Sequence, residues 1–178
     1  MSDIINRCAQ AEDKPAVRTF YMEVCRHQVY DEYGPSWHWG KYPTQDGLAE
    51  AVDQQQFLLS LKDGRIMAAC QLTVGNDPIY LPFAWPTPIK DDKEIAIIHL
   101  YAVHPDFRGQ GLSAVLLNYA KEAAKQLGCK VIRMDCKSGN LPARKLYERN
   151  GFNYFATAKV RYKDTGPTSC DLLEYVLK

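Results

Sequence analysis

A β-branched run, Ile95 to Val103, leads through Arg108-Gly109-Gln110-Gly111-Leu112-Ser113 into helical periodicity from Leu112 to Leu127. The order strand, glycine turn, helix commits the chain to laying that helix back over a sheet. The next apolar run, Lys130 to Asp135, is then predicted to lie parallel to the first. The turn itself implies more. Glycines reach positive φ at little cost and let a ligand approach the backbone. The first amides of a helix have no internal partner, and the helix dipole is positive there. Such a turn is built to hold an anion, phosphate above all.

The rest of the chain fills in an α/β (α+β) domain. Short strands are expected at Ile4 to Ala9, Phe57 to Leu61 and Arg65 to Val74, the last two joined by the hairpin signal Lys62-Asp63-Gly64. Helices are expected at Glu12 to Asp31, where Val17, Phe20, Tyr21, Val24 and Gln28 share a face, and at Gln45 to Gln54. Residues 34–44 read as an aromatic-rich loop and residues 76–94, with Pro78, Pro82, Pro86 and Pro88, as an irregular insertion between strands. On the helix after the glycine turn, Leu112, Val115, Leu116, Tyr119, Ala123 and Leu127 form the apolar face. A helix over Asn140 to Asn150 is predicted, capped by Asn140 and stopped at Gly151. Two closing strands, Phe152 to Tyr162 and Asp171 to Leu177, are expected to pair antiparallel. No internal repeat breaks the 178 residues, so one domain spanning 1–178 is expected.

Composition narrows the function classes. Hydrophobic residues make up 46% and charged residues 24%, ordinary values for a globular domain. No apolar run reaches the roughly 18 residues of a membrane span, and Met1-Ser2-Asp3-Ile4 does not open a signal peptide. Six cysteines without a C-x-x-C pair favour free thiols over a zinc site or a disulfide framework, and no metal is expected. A cytoplasmic location follows from both points. The net charge of +1 argues against general nucleic-acid binding. The average conceals an asymmetry: residues 1–60 hold nine acids and five bases, residues 108–163 twelve bases and three acids. A basic half that contains the glycine turn suits a polyanionic ligand, and the acidic half a cationic one.

Gly109-x-Gly111-x-x-Ala114, with Asp135 at the end of the next strand, also fits a dinucleotide-binding fingerprint. The hairpins before it and the antiparallel strands after it leave no second nucleotide-binding half. The alternative carries two motifs in order. Val103-His104-Pro105 followed by Arg108-Gly109-Gln110-Gly111-Leu112-Ser113, then Asn140, Ala143, Tyr147, Gly151 and Phe152, resembles the GCN5-related N-acetyltransferase (GNAT) superfamily. Ser113 stands where that signature has glycine or alanine.

The resemblance implies a mixed, mostly antiparallel sheet of about seven strands flanked by about four helices. It implies acetyl-CoA as cofactor. Tyr101, Ala102 and Val103 would pair with its pantetheine arm, and Arg108, Gly109, Gln110, Gly111, Leu112 and Ser113 would hold its pyrophosphate. Asn140 and Ala143 would lie beside the pantetheine, and Tyr147 would protonate the departing sulfur. Asn140 and Tyr147 fall on one helical face, so both can address one ligand. His99, the polar residue of the central strand, is the candidate base, with a water chain to Glu94 as the alternative. Aromatics at Tyr30, Tyr33, Trp37, Trp39, Tyr42, Tyr80, Phe83 and Trp85 are candidates for an acceptor pocket, or else pack their loops onto the core. The expected partner is a small-molecule amine, or a peptide, taken by a monomer or homodimer. Other readings are a regulatory module that binds acyl-CoA without turnover, and an acyltransferase with another donor or an alcohol acceptor.

Overall fold

The computed structural model describes residues 3–163 and 165–178. Its strands are β1 (Ile5–Cys8), β2 (Phe57–Lys62), β3 (Arg65–Val74), β4 (Ile95–Val103), β5 (Val131–Lys137), β6 (Asn153–Tyr162) and β7 (Gly166–Val176). They form one sheet in the order β1-β2-β3-β4-β5-β7-β6. The β1/β2, β2/β3, β5/β7 and β6/β7 pairs are antiparallel. The β4/β5 pair is parallel, with Ile95 opposite Val131 and Ile97 opposite Arg133. The helices are α1 (Lys14–His27), α2 (Gln45–Asp53), α3 (Leu112–Gln126) and α4 (Leu141–Arg149). This is the mixed α/β architecture expected from the order of elements. Among the described residues, no helix is long and apolar enough to cross a membrane.

The chain folds as two compact units, Met1–Glu32, Ser36–Leu72 and His99–Ala120 in the first, Tyr33–Pro35, Thr73–Ile98 and Lys121–Lys178 in the second. In the first, α1 buries Val17, Phe20, Tyr21 and Val24 as its spacing requires. The α-helix itself is shorter than the periodicity suggested, and a 3-10 turn continues it at each end. Pro15 sits in its first turn, where a missing N–H costs nothing. At its far end the chain tightens into a 3-10 turn, Gln28–Tyr30, and the Gln28 side chain bonds both the N–H and the carbonyl of Trp37 at 3.0 Å. Phe57, Leu59, Ala69 and Leu100 complete this core. In α3 the fully buried side chains are Leu112, Leu116, Leu117, Ala120 and Ala124, whereas Leu127 is exposed. The apolar stripe is therefore rotated towards Leu117 and Ala120, away from the face drawn through Leu127.

The second unit is centred on Tyr80, Ile95, Ile97, Val131, Val160 and Leu172. Its β7 starts at Gly166, several residues before the predicted Asp171, and Gly166 pairs with Tyr162 across the hairpin. Gly166-Pro167-Thr168-Ser169 reads as turn chemistry, and pairing with β6 overrides that local signal. The insertion over 76–94 carries no strand or α-helix, but the sheet holds it firmly. Tyr80 donates its hydroxyl to Asp135, as does Tyr162. Arg133 Nε donates to Glu174 Oε2 at 3.0 Å, and both side chains are almost fully buried. Thr87 closes the ring: its N–H donates to Glu174 Oε1 at 3.0 Å and its carbonyl accepts from Arg133 Nη2 at 3.1 Å. The Arg133 guanidinium also lies 4.8 Å from the centre of the Trp85 ring.

A buried pair of this kind is costly to break from one side, because the survivor keeps its charge without a counterion. Glu174→Ala is expected to lower unfolding free energy by about 3–5 kcal/mol. The double change Arg133→Met with Glu174→Leu, which removes both charges, recovers much of that loss. Urea denaturation of the three proteins tests this, and a double variant no more stable than Glu174→Ala contradicts it.

Candidate active site

β4 delivers the chain to the glycine turn through Pro105–Phe107, a single 3-10 turn. Gly109 and Gly111 both take φ +77°. A Cβ built on either would meet no atom within 4 Å, so backbone conformation and not crowding demands glycine there. Two amides of the first turn of α3 are used locally, Ala114 and Val115 donating to the Gly111 carbonyl at 3.1 and 3.4 Å. Among the described residues, the amides of Gly109, Gln110, Gly111, Leu112 and Ser113 donate to no protein group. Residues 108–111 are exposed. A row of unpaired N–H groups at the positive end of a 15-residue helix is an anion cradle.

The Arg108 side chain has other business. Its guanidinium donates to Asp31 Oδ1 at 2.6 Å, and His27 Nδ1 lies 3.1 Å from the same oxygen. Burial alone would raise the Asp31 carboxyl, but the hydrogen bond and charge of Arg108, with His27, hold it below the ordinary carboxylate range. What the turn offers an anion is main-chain N–H. Behind the turn, Tyr101 donates its hydroxyl to the Ser113 carbonyl and ties the start of α3 to β4.

The central strand departs from strict alternation. Leu100 takes φ +51°, and its carbonyl accepts the buried Tyr21 hydroxyl at 2.6 Å. The pleat is thus interrupted between His99 and Tyr101, where unbroken alternation would have set both on the Ile97 face. His99, Tyr101 and Val103 are half-buried, and Ala102 is buried. Glu94 pairs with Lys130 at 2.5 Å.

In the second unit, Asn140 caps α4 as predicted. Its Oδ1 accepts from the Ala143 N–H at 3.3 Å, so that oxygen holds the helix start. Tyr147 is buried, with its ring centre 6.2 Å from that of Phe152. Arg144 bonds Asp171 at 3.4 Å and packs over Tyr154, which fixes α4 against β7 and β6.

The candidate acceptor aromatics separate by environment. Tyr80 is fully buried and Trp85 donates Nε1–H to the Tyr80 carbonyl at 3.2 Å, so both serve the core of the second unit in this conformation. Trp37, Trp39 and Tyr42 are half-buried against the first core. Tyr30 and Tyr33 are exposed. Asp135, the residue a dinucleotide site would need for ribose, is already bonded by Tyr80 and Tyr162. With the antiparallel β7 beside β5, this removes the dinucleotide reading. Sequence reasoning gave Asp31 and His104 no role at the turn, around which both bond. A histidine before proline at a strand end was the available signal for the second.

The model of the acetyltransferase (GNAT) family matches residues 23–152. The chain belongs to that family. A Bacillus subtilis relative with the provisional name ribosomal protein bS18 alanine N-acetyltransferase is 27% identical over 155 residues, 86% of this chain and 90% of that one. An uncharacterized N-acetyltransferase of Methanocaldococcus jannaschii is 39% identical over 62 residues, and the match spans 35% of this chain and only 27% of that protein. Salmonella typhimurium yncA, solved with its cofactor acetyl-CoA, shares the fold with a TM-score of 0.71 over 99% of this chain and 95% of that one, at 18% identity.

The glycine requirement of this GNAT turn is directly measurable. Gly109→Ala and Gly111→Ala are each expected to cost about 1–2 kcal/mol, the penalty of the left-handed conformation for an L-residue. Calorimetric unfolding checks this, and an unchanged transition would mean that the turn relaxes freely.

Proposed function

We propose that the chain is an acetyl-CoA-dependent N-acetyltransferase that transfers the acetyl group to a primary amine by direct attack on the thioester. The observation that carries this is the row of unpartnered amides from Gly109 to Ser113, exposed over Gly109 to Gly111 and suited to a pyrophosphate. The acetyl-CoA in the structural neighbour yncA supports the choice of ligand. Bound acetyl-CoA supplies the activated acyl group. In this reading Tyr101, Ala102 and Val103 align the pantetheine arm, with Asn140 and Ala143 as further contacts.

Direct attack is favoured over an acyl-cysteine route by the state of the thiols. Burial raises all six cysteines above the ordinary thiol value, Cys25 to about 11 and Cys136 and Cys170 to about 12. None offers a thiolate at neutral pH, and the thiolate is the nucleophile. The acceptor must itself attack, and an alkylamine, with a pKa of about 10.4, must first lose a proton. We assign that proton to His99, and to Tyr147 the return of a proton to the departing sulfur.

The acceptor is read as a primary amine on a small molecule. The name of the Bacillus subtilis relative favours a second class, the α-amine of a protein N-terminus. Tyr33 and the half-buried Trp37 and Trp39 are the residues proposed to select between them.

Thiol release from acetyl-CoA, measured with arylalkylamines, polyamines and an alanine-initiated peptide, tests the proposal. Amine-dependent release supports it. Coenzyme A binding without release under any acceptor points instead to a binding module, and release with alcohols or longer acyl donors to a different transferase. Tyr147→Phe is expected to lower kcat at saturating acetyl-CoA by about a hundredfold, and undiminished turnover removes Tyr147 from the mechanism. A general base works only unprotonated, so kcat/KM should rise with pH through its titration. His99→Ala is expected to abolish that rise, and a pH profile of unchanged shape assigns the base elsewhere.

A further inference from the structure

His104 lies between the last residue of β4 and the 3-10 turn that enters the glycine turn, and its ring is buried. Nδ1 accepts a hydrogen bond from the Asp106 N–H at 3.2 Å. The proton of the ring therefore sits on Nε2, which donates to Glu23 Oε2 of α1 at 2.7 Å. The main chain of His104 is held as tightly. Its N–H donates to the Met67 carbonyl of β3 at 2.8 Å, and its carbonyl accepts from the Phe107 N–H at 3.0 Å. The rings of Phe20 and Phe107 flank the imidazole at 5.9 and 5.6 Å. The other charges nearby are the Asp106 carboxylate, 3.7 Å from Nδ1, and Arg65, which reaches that carboxylate at 3.4 Å.

We infer that His104 is a positioning residue for the cofactor: it caps the turn leading into Arg108–Ser113 and braces that turn against α1 through Glu23. This rests on the reading that the glycine turn holds the pyrophosphate of acetyl-CoA. The physical reason is that unpaired amides bind an anion well only when they already converge on it. The exit of the turn is fixed by Tyr101 on the Ser113 carbonyl. At its entry Asp31 ties the Arg108 side chain but not its main chain, whose N–H reaches the Pro105 carbonyl only at 3.4 Å. His104 supplies the main-chain constraint at the entry, from α1 and β3 at once. It touches no reacting atom, so its loss should weaken cofactor binding and spare the chemical step.

The test is calorimetric titration with coenzyme A together with steady-state kinetics and a melting curve for each variant. His104→Leu removes both polar arms and is expected to raise the Kd for coenzyme A about five- to tenfold, the effect of losing a good cap. The kcat at saturating acetyl-CoA should stay within about twofold, since the cap acts on the turn alone. His104→Asn keeps an oxygen that can accept from the Asp106 N–H and is expected to restore most of the affinity. Glu23→Ala cuts only the brace to α1, from a half-exposed side chain, and should weaken binding by about threefold, the worth of one such hydrogen bond. Affinity unchanged in His104→Leu overturns the inference, as does His104→Asn binding no better than His104→Leu. If His104→Leu does not fold, Glu23→Ala decides, and unaltered affinity there overturns it. A wild-type chain that does not bind coenzyme A overturns the cofactor reading itself, a different result from any of these.

Discussion

Two glycines at φ +77° set the terms for the first unit. An L-residue resists that conformation, so the path of the chain from Gly109 to Ser113 depends on glycine at both places. The surrounding structure is arranged to hold that path. Tyr101 holds the start of α3, His104 the end of β4, and Asp31 occupies the one strong cation of the turn. With Arg108 neutralised locally, what the turn presents is main-chain dipoles, the kind of group that needs no rearrangement when an anion arrives. α3 gains its own packing from Leu112, Leu116 and Leu117, so the site is mounted on an element that the core already stabilises.

The second unit solves a different problem, the fastening of a proline-rich segment that cannot join the sheet. A strand would have used ladder hydrogen bonds. Residues 76–94 use side chains instead, one carboxylate taking two tyrosine hydroxyls and one ion pair gripping Thr87 by both its backbone groups. The arrangement satisfies buried polar groups that would otherwise carry a desolvation cost. It also explains why β5 carries charge in its interior. Arg133 and Asp135 serve the insertion, and Tyr80 and Trp85 belong to that fastening.

Much of this was legible in the chain. The limits of β4, the hairpin at Asp63-Gly64, the cap at Asn140 and the glycine turn follow from local chemistry that no tertiary contact reverses. What was not legible depends on partners remote in sequence. The left-handed Leu100 has no local signature, since leucine gives no hint of positive φ; its carbonyl is held by Tyr21 from another element. The early start of β7 was hidden because Gly166 and Pro167 read as turn residues until β6 pairs with them. The rotated face of α3 could not be read from periodicity alone, because alanines at 120 and 124 count as weakly apolar in a pattern yet are as fully buried as Leu116 and Leu117. In the candidate site, residue types and spacing placed the glycine turn and the Asn140 cap of α4. The braces around the turn, Glu23 with His104 and Asp31 with Arg108, join positions far apart in the chain and carry no spacing to detect.

The six thiols, four buried and two half-buried, have a consequence for chemical durability. A protein that handles a reactive thioester risks being acylated by it at its own nucleophiles. Here every sulfhydryl is held in its protonated form by burial. Its own thiols are thereby poor nucleophiles towards such a donor.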